Sequence, residues 1–374
     1  MKYIIIYIFL ILNCITKMNA RKIPELPQKL KIGYASWGEC DEKIFEAVQN
    51  GLNVIIWFSV DMSASEDNKR PIFKRGPNYE DVAKMIKRFK DNNYSVINLI
   101  SIGGWNSPHV NTNFTAKEYF KEWLKFNEKI SNNNYDFYGF DGIDWDIEGN
   151  DNMESNINHF TYKELDIMGE FSQLLKKEGY IVSMAPPESY LDPTTSEFSL
   201  SLLHNYPEWE KEFAKFTYHG RNVYAYLIAK YSLNTFDFVS LQLYEGYTHT
   251  LYKYQREKKS FGEIIYDLVE KLNKGYYVDF SKDKNSGLNK EFIKIPEDKI
   301  VIGLANAWAG GDKFLFVDEN NIIHGYKYLK EHKKDVRGFM FWDIADEGKT
   351  TQITCNDTDN KSPFYMAKVL NSFL

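Results

Sequence analysis

The chain holds only three cysteines in 374 residues, and Cys14 lies in its apolar start. Cys40 and Cys355 therefore leave room for one disulfide at most in the remaining chain. There is no excess of positive charge. The formal net charge is −6, which argues against a nucleic-acid partner. No apolar run after the first twelve residues is long enough to span a bilayer. The seven histidines show no metal-ligand spacing, so no metal or cofactor is expected. No Gly-rich phosphate loop follows the first predicted strand, and no short repeat, low-complexity linker or second domain interrupts the chain.

What is present begins with Lys2 and an apolar run to Leu12, the pattern of a secretory signal. Ala20 is the expected cleavage point, although Met18 is a poor residue two places before it. Residues 1–20 are therefore read as a signal peptide and 21–374 as one domain. Removing Lys2 and Lys17 from the formal −6 leaves about −8. A secreted, soluble product is expected. Cys40 and Cys355 would then be an even pair in an oxidising compartment, paired or left as two thiols. The sequons at Asn113, Asn356 and Asn360 are glycosylation candidates.

Eight apolar stretches read as strands: 30–34, 53–60, 94–104, 140–148, 180–186, 236–244, 299–306 and 336–342. Helical patterns lie between them. Three open with capping boxes, Thr115/Glu118, Thr161/Glu164 and Ser260/Glu263. One of these helices is expected to turn Phe120, Trp123 and Leu124 inward. The connection through Pro71 and Pro77 reads as polar loop, and 276–296 as an exposed excursion. Eight strands alternating with helices predict parallel strands in a closed (β/α)8 barrel, with an open doubly wound sheet as the alternative.

The fourth strand carries the chemistry. In Gly142-Ile143-Asp144-Trp145-Asp146-Ile147-Glu148, the acids share one parity and Ile143, Trp145 and Ile147 share the other. Side chains alternate along a strand, so three carboxyls form a row, spaced roughly 6.5–7 Å apart. Acids so close cannot all ionise in a poorly solvated site, and at least one is expected to hold its proton near neutral pH. A protonated carboxyl beside an ionised one suits cleavage of a glycosidic bond. The start of a calcium loop is the competing reading. It meets Ser155 where a glutamate should stand, and Trp145 and Ile147 are too apolar for such a loop. An acidic edge strand is the other alternative.

Asp141-Gly142-x-Asp144-x-Asp146-x-Glu148 resembles the active-site signature of family 18 glycoside hydrolases, the chitinase family. Ser101-x-Gly103-Gly104 resembles the family's second signature. The resemblance implies a single TIM barrel and an endochitinase acting on chitin or chitooligosaccharides. It implies Glu148 as general acid/base and Asp146 as the group that orients the substrate acetamide. Asp144 would share a proton with Asp146, and Tyr244 would bond the acetamide carbonyl. Trp342 would form the floor under the reacting sugar, with Gln242 and Met184 lining the site. Gln242-x-Tyr244-Glu245 departs from the commoner Met-x-Tyr-Asp, which leaves Glu245 in doubt as a contact.

Tyr34, Trp37, Trp105, Tyr247 and Trp308 follow predicted strands and are candidate platforms for sugar rings, Trp105 and Trp308 foremost. The short segment between Asn306 and Val336 has no room for the small α+β insertion domain of some chitinases, so an open cleft and internal cleavage are expected. That shortness and the Lys/Asn-rich composition resemble the chitinases of malaria parasites, implying export through a microneme-type organelle. Two other activities are the alternatives: an endo-β-N-acetylglucosaminidase acting on N-glycans, which shares the acidic signature, and a chitin-binding lectin without catalysis. The lectin reading is opposed by the presence of Glu148.

Overall fold

The computed structural model describes residues 23–36, 41–150, 152, 154–202, 222–246, 248–310, 313–350 and 363–374. Eight parallel strands form a closed barrel: β1 Leu30–Ala35, β2 Val54–Ala64, β3 Ile97–Gly104, β4 Gly142–Ile147, β5 Ile181–Met184, β6 Phe238–Gln242, β7 Ile300–Ala305 and β8 Gly338–Trp342. Each pairs with its neighbour in sequence, and β1 pairs with both β8 and β2 to close the ring. The open-sheet alternative is excluded by that closure.

The helices form, for the most part, where amphipathic stretches meet side-chain caps. They are α1 Glu42–Gln49, α2 Tyr79–Asp91, α3 Ala116–Lys129, α4 Tyr162–Lys177, α5 Ala225–Tyr231, α6 His249–Gln255, α7 Phe261–Lys274, α8 Glu319–Glu331 and α9 Met366–Asn371. All three expected capping boxes are made, at the starts of α3, α4 and α7. Gly275 ends α7 with φ +89°, a conformation that a Cβ disfavours.

Two apolar layers hold the barrel. Leu30, Ile32, Val54, Ile56, Leu99, Val301 and Met340 fill its interior. Ile143, Trp145, Phe171, Leu175 and many others pack the strands against the helices. Truncating a fully buried leucine such as Leu99 to alanine costs about 2–5 kcal/mol in such packing.

The sequence reading needs three corrections. Pro71–Arg75 is a strand, not loop; it runs antiparallel to the end of β2. Residues 276–296 include a ribbon, Tyr276–Asp279 against Lys290–Ile293; its Val278 and Ile293, and Phe280 and Ile295 just beyond it, are fully buried. Leu124 is 40% exposed and does not face inward, whereas Trp123 is fully buried. Between β7 and β8, α8 is the one helix among the described residues. Among the described residues no helix is long and apolar enough to cross a membrane.

Candidate active site

β4 has the two faces that its sequence requires. Trp145 points outward, packing on Phe171 of α4 with ring centroids 6.0 Å apart and donating its indole N–H to Ser172 Oγ at 2.8 Å. The acids therefore point into the barrel near its C-terminal mouth, where enzymes of this architecture place their chemistry.

Asp144 lies deepest and is fully buried. Tyr34 of β1 donates to Oδ2 at 2.7 Å, and Ser183 of β5 donates to Oδ1 at 2.6 Å. Burial pushes its carboxyl up to about 6, against the two hydroxyl donors that favour the charged form. Asp146 is also buried. Burial is the largest cause raising its carboxyl well above the usual range, followed by the charges of Glu148 and Asp144. Glu148 is raised as well, again by burial, while hydrogen bonds from Asp146 and Gln242 oppose the rise. Asp146 and Glu148 thus interact directly, and the carboxyls of both are raised. Asp144 acts on Asp146 through its charge.

Gln242 ends β6 with its side-chain amide turned into this cluster. Nε2 lies 2.9 Å from Asp146 Oδ1, 3.3 Å from Glu148 Oε1 and 2.6 Å from the Ala185 carbonyl. Tyr244 is buried nearby. Burial and the charges of Glu245, Glu148 and Asp146 hold its hydroxyl well above its usual value, so it stays a hydrogen-bond donor. Trp342 ends β8, partly buried, with its ring 5.6 Å from that of Tyr34 and 4.7 Å from that of Phe58. Trp308 stands edge-on to Tyr244 at 6.0 Å and donates its indole N–H to the Trp342 carbonyl at 2.6 Å. Trp105, partly buried, follows directly on Gly104 at the end of β3.

The glycines before it let the strands close up. A Cβ on Gly103 would stand 2.6 Å from the Asp146 carbonyl oxygen, and one on Gly104 would stand 2.0 Å from the Phe58 ring. Both have φ near +105°, which few side chains tolerate.

Two expected site residues belong elsewhere. Met184 pairs with Trp145, not with an acid, and lies fully buried in the layer between strands and helices. Its parity on β5 is opposite to that of Ser183, so it cannot line the interior. Tyr34 is not a platform at the rim; it is 2% exposed, and its hydroxyl is spent on Asp144. Trp37, Tyr247, Cys40, Cys355, the sequons at Asn356 and Asn360 and the signal peptide lie outside the described residues. Asn113 is exposed. Ser183 was not singled out in the sequence, and the signal for it was its even spacing from Ile181 and Ala185 on one face of β5. Among the described residues no group of His, Cys, Asp or Glu could hold a metal ion.

No family model matches the chain, and no curated protein matches it. Solved structures do share its fold. A fungal endo-β-N-acetylglucosaminidase from glycosyl hydrolase family 18 is 12% identical, with a TM-score of 0.52, over 94% of this chain and 99% of that one. Active domain 2 of a thermostable chitinase from Pyrococcus furiosus is 12% identical, with a TM-score of 0.53, over 93% and 95% of the two chains.

Proposed function

We propose that this protein is a secreted endochitinase, a glycoside hydrolase of the family 18 type that cleaves β-1,4 bonds between N-acetylglucosamine units. The observation that carries the reading is the row Asp144, Asp146 and Glu148, buried side by side in the mouth of the barrel with the Gln242 amide joining the last two. Glu148 gives its proton to the leaving glycosidic oxygen. The substrate's own acetamido oxygen attacks the anomeric carbon as the bond breaks, forming an oxazolinium ion. Asp146 accepts from the acetamide N–H and supports the positive charge that develops. Tyr244 donates to the acetamide oxygen, and Trp342 lies beneath the ring. Glu148, now ionised, takes a proton from water as that water opens the oxazolinium with net retention. Family 18 enzymes depart from the two-carboxylate scheme, so no second carboxylate is needed as nucleophile.

The short β7–β8 connection favours an open cleft and cleavage within the polymer. The apolar start supports export. The microneme-type route rests only on the likeness to malaria-parasite chitinases, carried by composition and that short connection. Action on N-glycans is the second reading, favoured by the full-length likeness to the fungal endo-β-N-acetylglucosaminidase fold.

Hydrolysis of a fluorogenic chitotrioside by wild type and Glu148→Gln tests the proposal. Wild-type turnover and a loss of at least ~10²–10⁴-fold in the variant are expected, the size of a lost general acid. Release of whole glycans from a glycoprotein, with chitin left intact, would move the assignment to the second reading. Chitin binding without any turnover would make it a lectin.

A further inference from the structure

Glu148 can act only if its main chain is fixed, and the β-ladder that should fix it runs out one residue earlier. Along the β4–β5 pairing, Ile181 N donates to the Asp141 carbonyl at 3.0 Å and Ala185 N donates to the Trp145 carbonyl at 2.8 Å. Acceptors on β4 therefore recur every second residue, and the next is the Ile147 carbonyl. Its donor in register would be residue 187, which is Pro187 and has no N–H. The Ala185 carbonyl, the acceptor due to the Ile147 amide, receives Gln242 instead. Both polar groups of Ile147 would be left unpaired in a buried strand end, each at the cost of its full desolvation.

One hydroxyl satisfies both. Tyr224 Oη accepts from Ile147 N at 2.9 Å and donates to the Ile147 carbonyl at 3.1 Å. Tyr224 is fully buried, its ring wedged against Tyr190 and Phe160 at 5.5 and 6.2 Å. On the far side of Glu148, His109 Nε2 lies 3.1 Å from the Glu148 carbonyl. A carbonyl only accepts, so that nitrogen carries the proton. The His109 ring packs on Phe160 at 4.4 Å. Phe160 thus backs both side chains.

We propose that Tyr224 and His109 are positioning residues for the general acid: together they hold the peptide on each side of Glu148 in place of the missing ladder. This rests on the glycosidase reading for its effect on rate, though not for its effect on the strand. Two fixed peptide planes set the direction of the Glu148 Cα–Cβ bond, and a displacement near 1 Å at a reacting group can cost about a hundredfold in rate.

The test uses Tyr224→Phe, which keeps the ring and removes the hydroxyl, with His109→Leu and His109→Gln. Tyr224→Phe and His109→Leu are each expected to lower kcat by about ten- to a hundredfold with KM changed less than about twofold. His109→Gln, which offers an N–H at similar reach, is expected to restore most of that loss. Hydrogen exchange of residues 142–149, resolved to single amides, reads the strand directly. The Ile147 amide in Tyr224→Phe should exchange at least ~10-fold faster than in wild type, as for a lost protecting bond. Unchanged exchange overturns the proposal, whatever the activity. Faster exchange with unchanged kcat overturns the positioning role. A drop for His109→Leu that His109→Gln shares equally removes His109 from it. Wild type inactive on every chitin and N-glycan substrate would sink the glycosidase reading alone, with exchange still judging the clamp.

Discussion

Tyr34 donates its hydroxyl hydrogen to Asp144 Oδ2 at 2.7 Å, joining the first barrel strand to the fourth through the middle of the barrel. With Ser183 on the other oxygen, it is what allows a fully buried carboxyl to ionise near neutral pH at all. Tyr34→Phe removes a donor that favours the charged form. The Asp144 carboxyl, already pushed up to about 6, must then rise further. The charge that Asp144 places beside Asp146 is then gained only at higher pH. The acid limb of the kcat/KM profile is expected to move to higher pH, and the fold to lose about 1–3 kcal/mol for an unsatisfied buried carboxyl oxygen. A pH–rate series beside urea denaturation at pH 7 checks both.

Gln242 bears on the other end of the acidic row. Its hydrogen bonds lower both Asp146 and Glu148 relative to what burial alone would do. Gln242→Met keeps the length and removes the amide. Both carboxyls should then hold their protons to higher pH, and the alkaline limb, where Glu148 loses its proton, should move upward. The Ala185 carbonyl loses its 2.6 Å partner at the same time, so the thermal midpoint should fall. An alkaline limb that stays in place would mean that Gln242 does not set the ionisation of this pair.

Gly103 tests the claim that close backbone approach shapes the site. A methyl there meets the Asp146 carbonyl at 2.6 Å, and the backbone sits at φ +107°. Either strand β3 or the Asp146 peptide must shift. Gly103→Ala is expected to cost more than about 1 kcal/mol in stability and to lower kcat more than it raises KM. Steady-state kinetics with a urea melt decide it. Near-native values for both would show that the strand end yields freely.

The barrel was legible because most strands are apolar runs and most helices open on a side-chain cap, both local properties. The row of acids was legible for the same reason: alternation on β4 is written in seven consecutive residues. Met184 shows where such reading stops. Its position near the end of a strand was clear, but its facing depended on register with Ser183 and Trp145, which is set by pairing between strands. Tyr34 is ambiguous in the sequence because an aromatic at a strand end fits an exposed rim and a buried interior equally. Tyr224 carried no local sign, since its partner Ile147 lies 77 residues away. The one hint in the sequence was Pro187, a strand-end residue unable to donate to a ladder.

A second buried network, set apart from the acids of β4, ties the loop after β5 to the helix after β6. His249 Nε2 lies 3.0 Å from Asp192 Oδ2, and Thr194 Oγ1 donates to Asp192 Oδ1 at 2.6 Å. Glu188, buried alongside, accepts from Thr250 N at 3.1 Å. Burial works to lower His249, yet Asp192 and Glu188 outweigh it and its pKa is raised, with Lys253 opposing them. Burial also works to raise Asp192, but His249 and Thr194 bring it below the usual range. Glu188 is raised, by burial first. The signs then follow. His249 contributes stability that is fully present below its unfolded value near 6.5 and is lost as pH rises through its higher folded value. Asp192 contributes stability present above about 3.9 and lost as pH falls through its depressed folded value. Between those limits the pair is charged and matched. His249→Asn should therefore destabilise the protein most at pH 5 to 6 and progressively less as pH rises through the raised folded value of His249. Urea midpoints of the two proteins from pH 5 to 9 measure the difference. A gap that does not narrow toward alkaline pH would show that the imidazole acts by packing and hydrogen bonding rather than by charge.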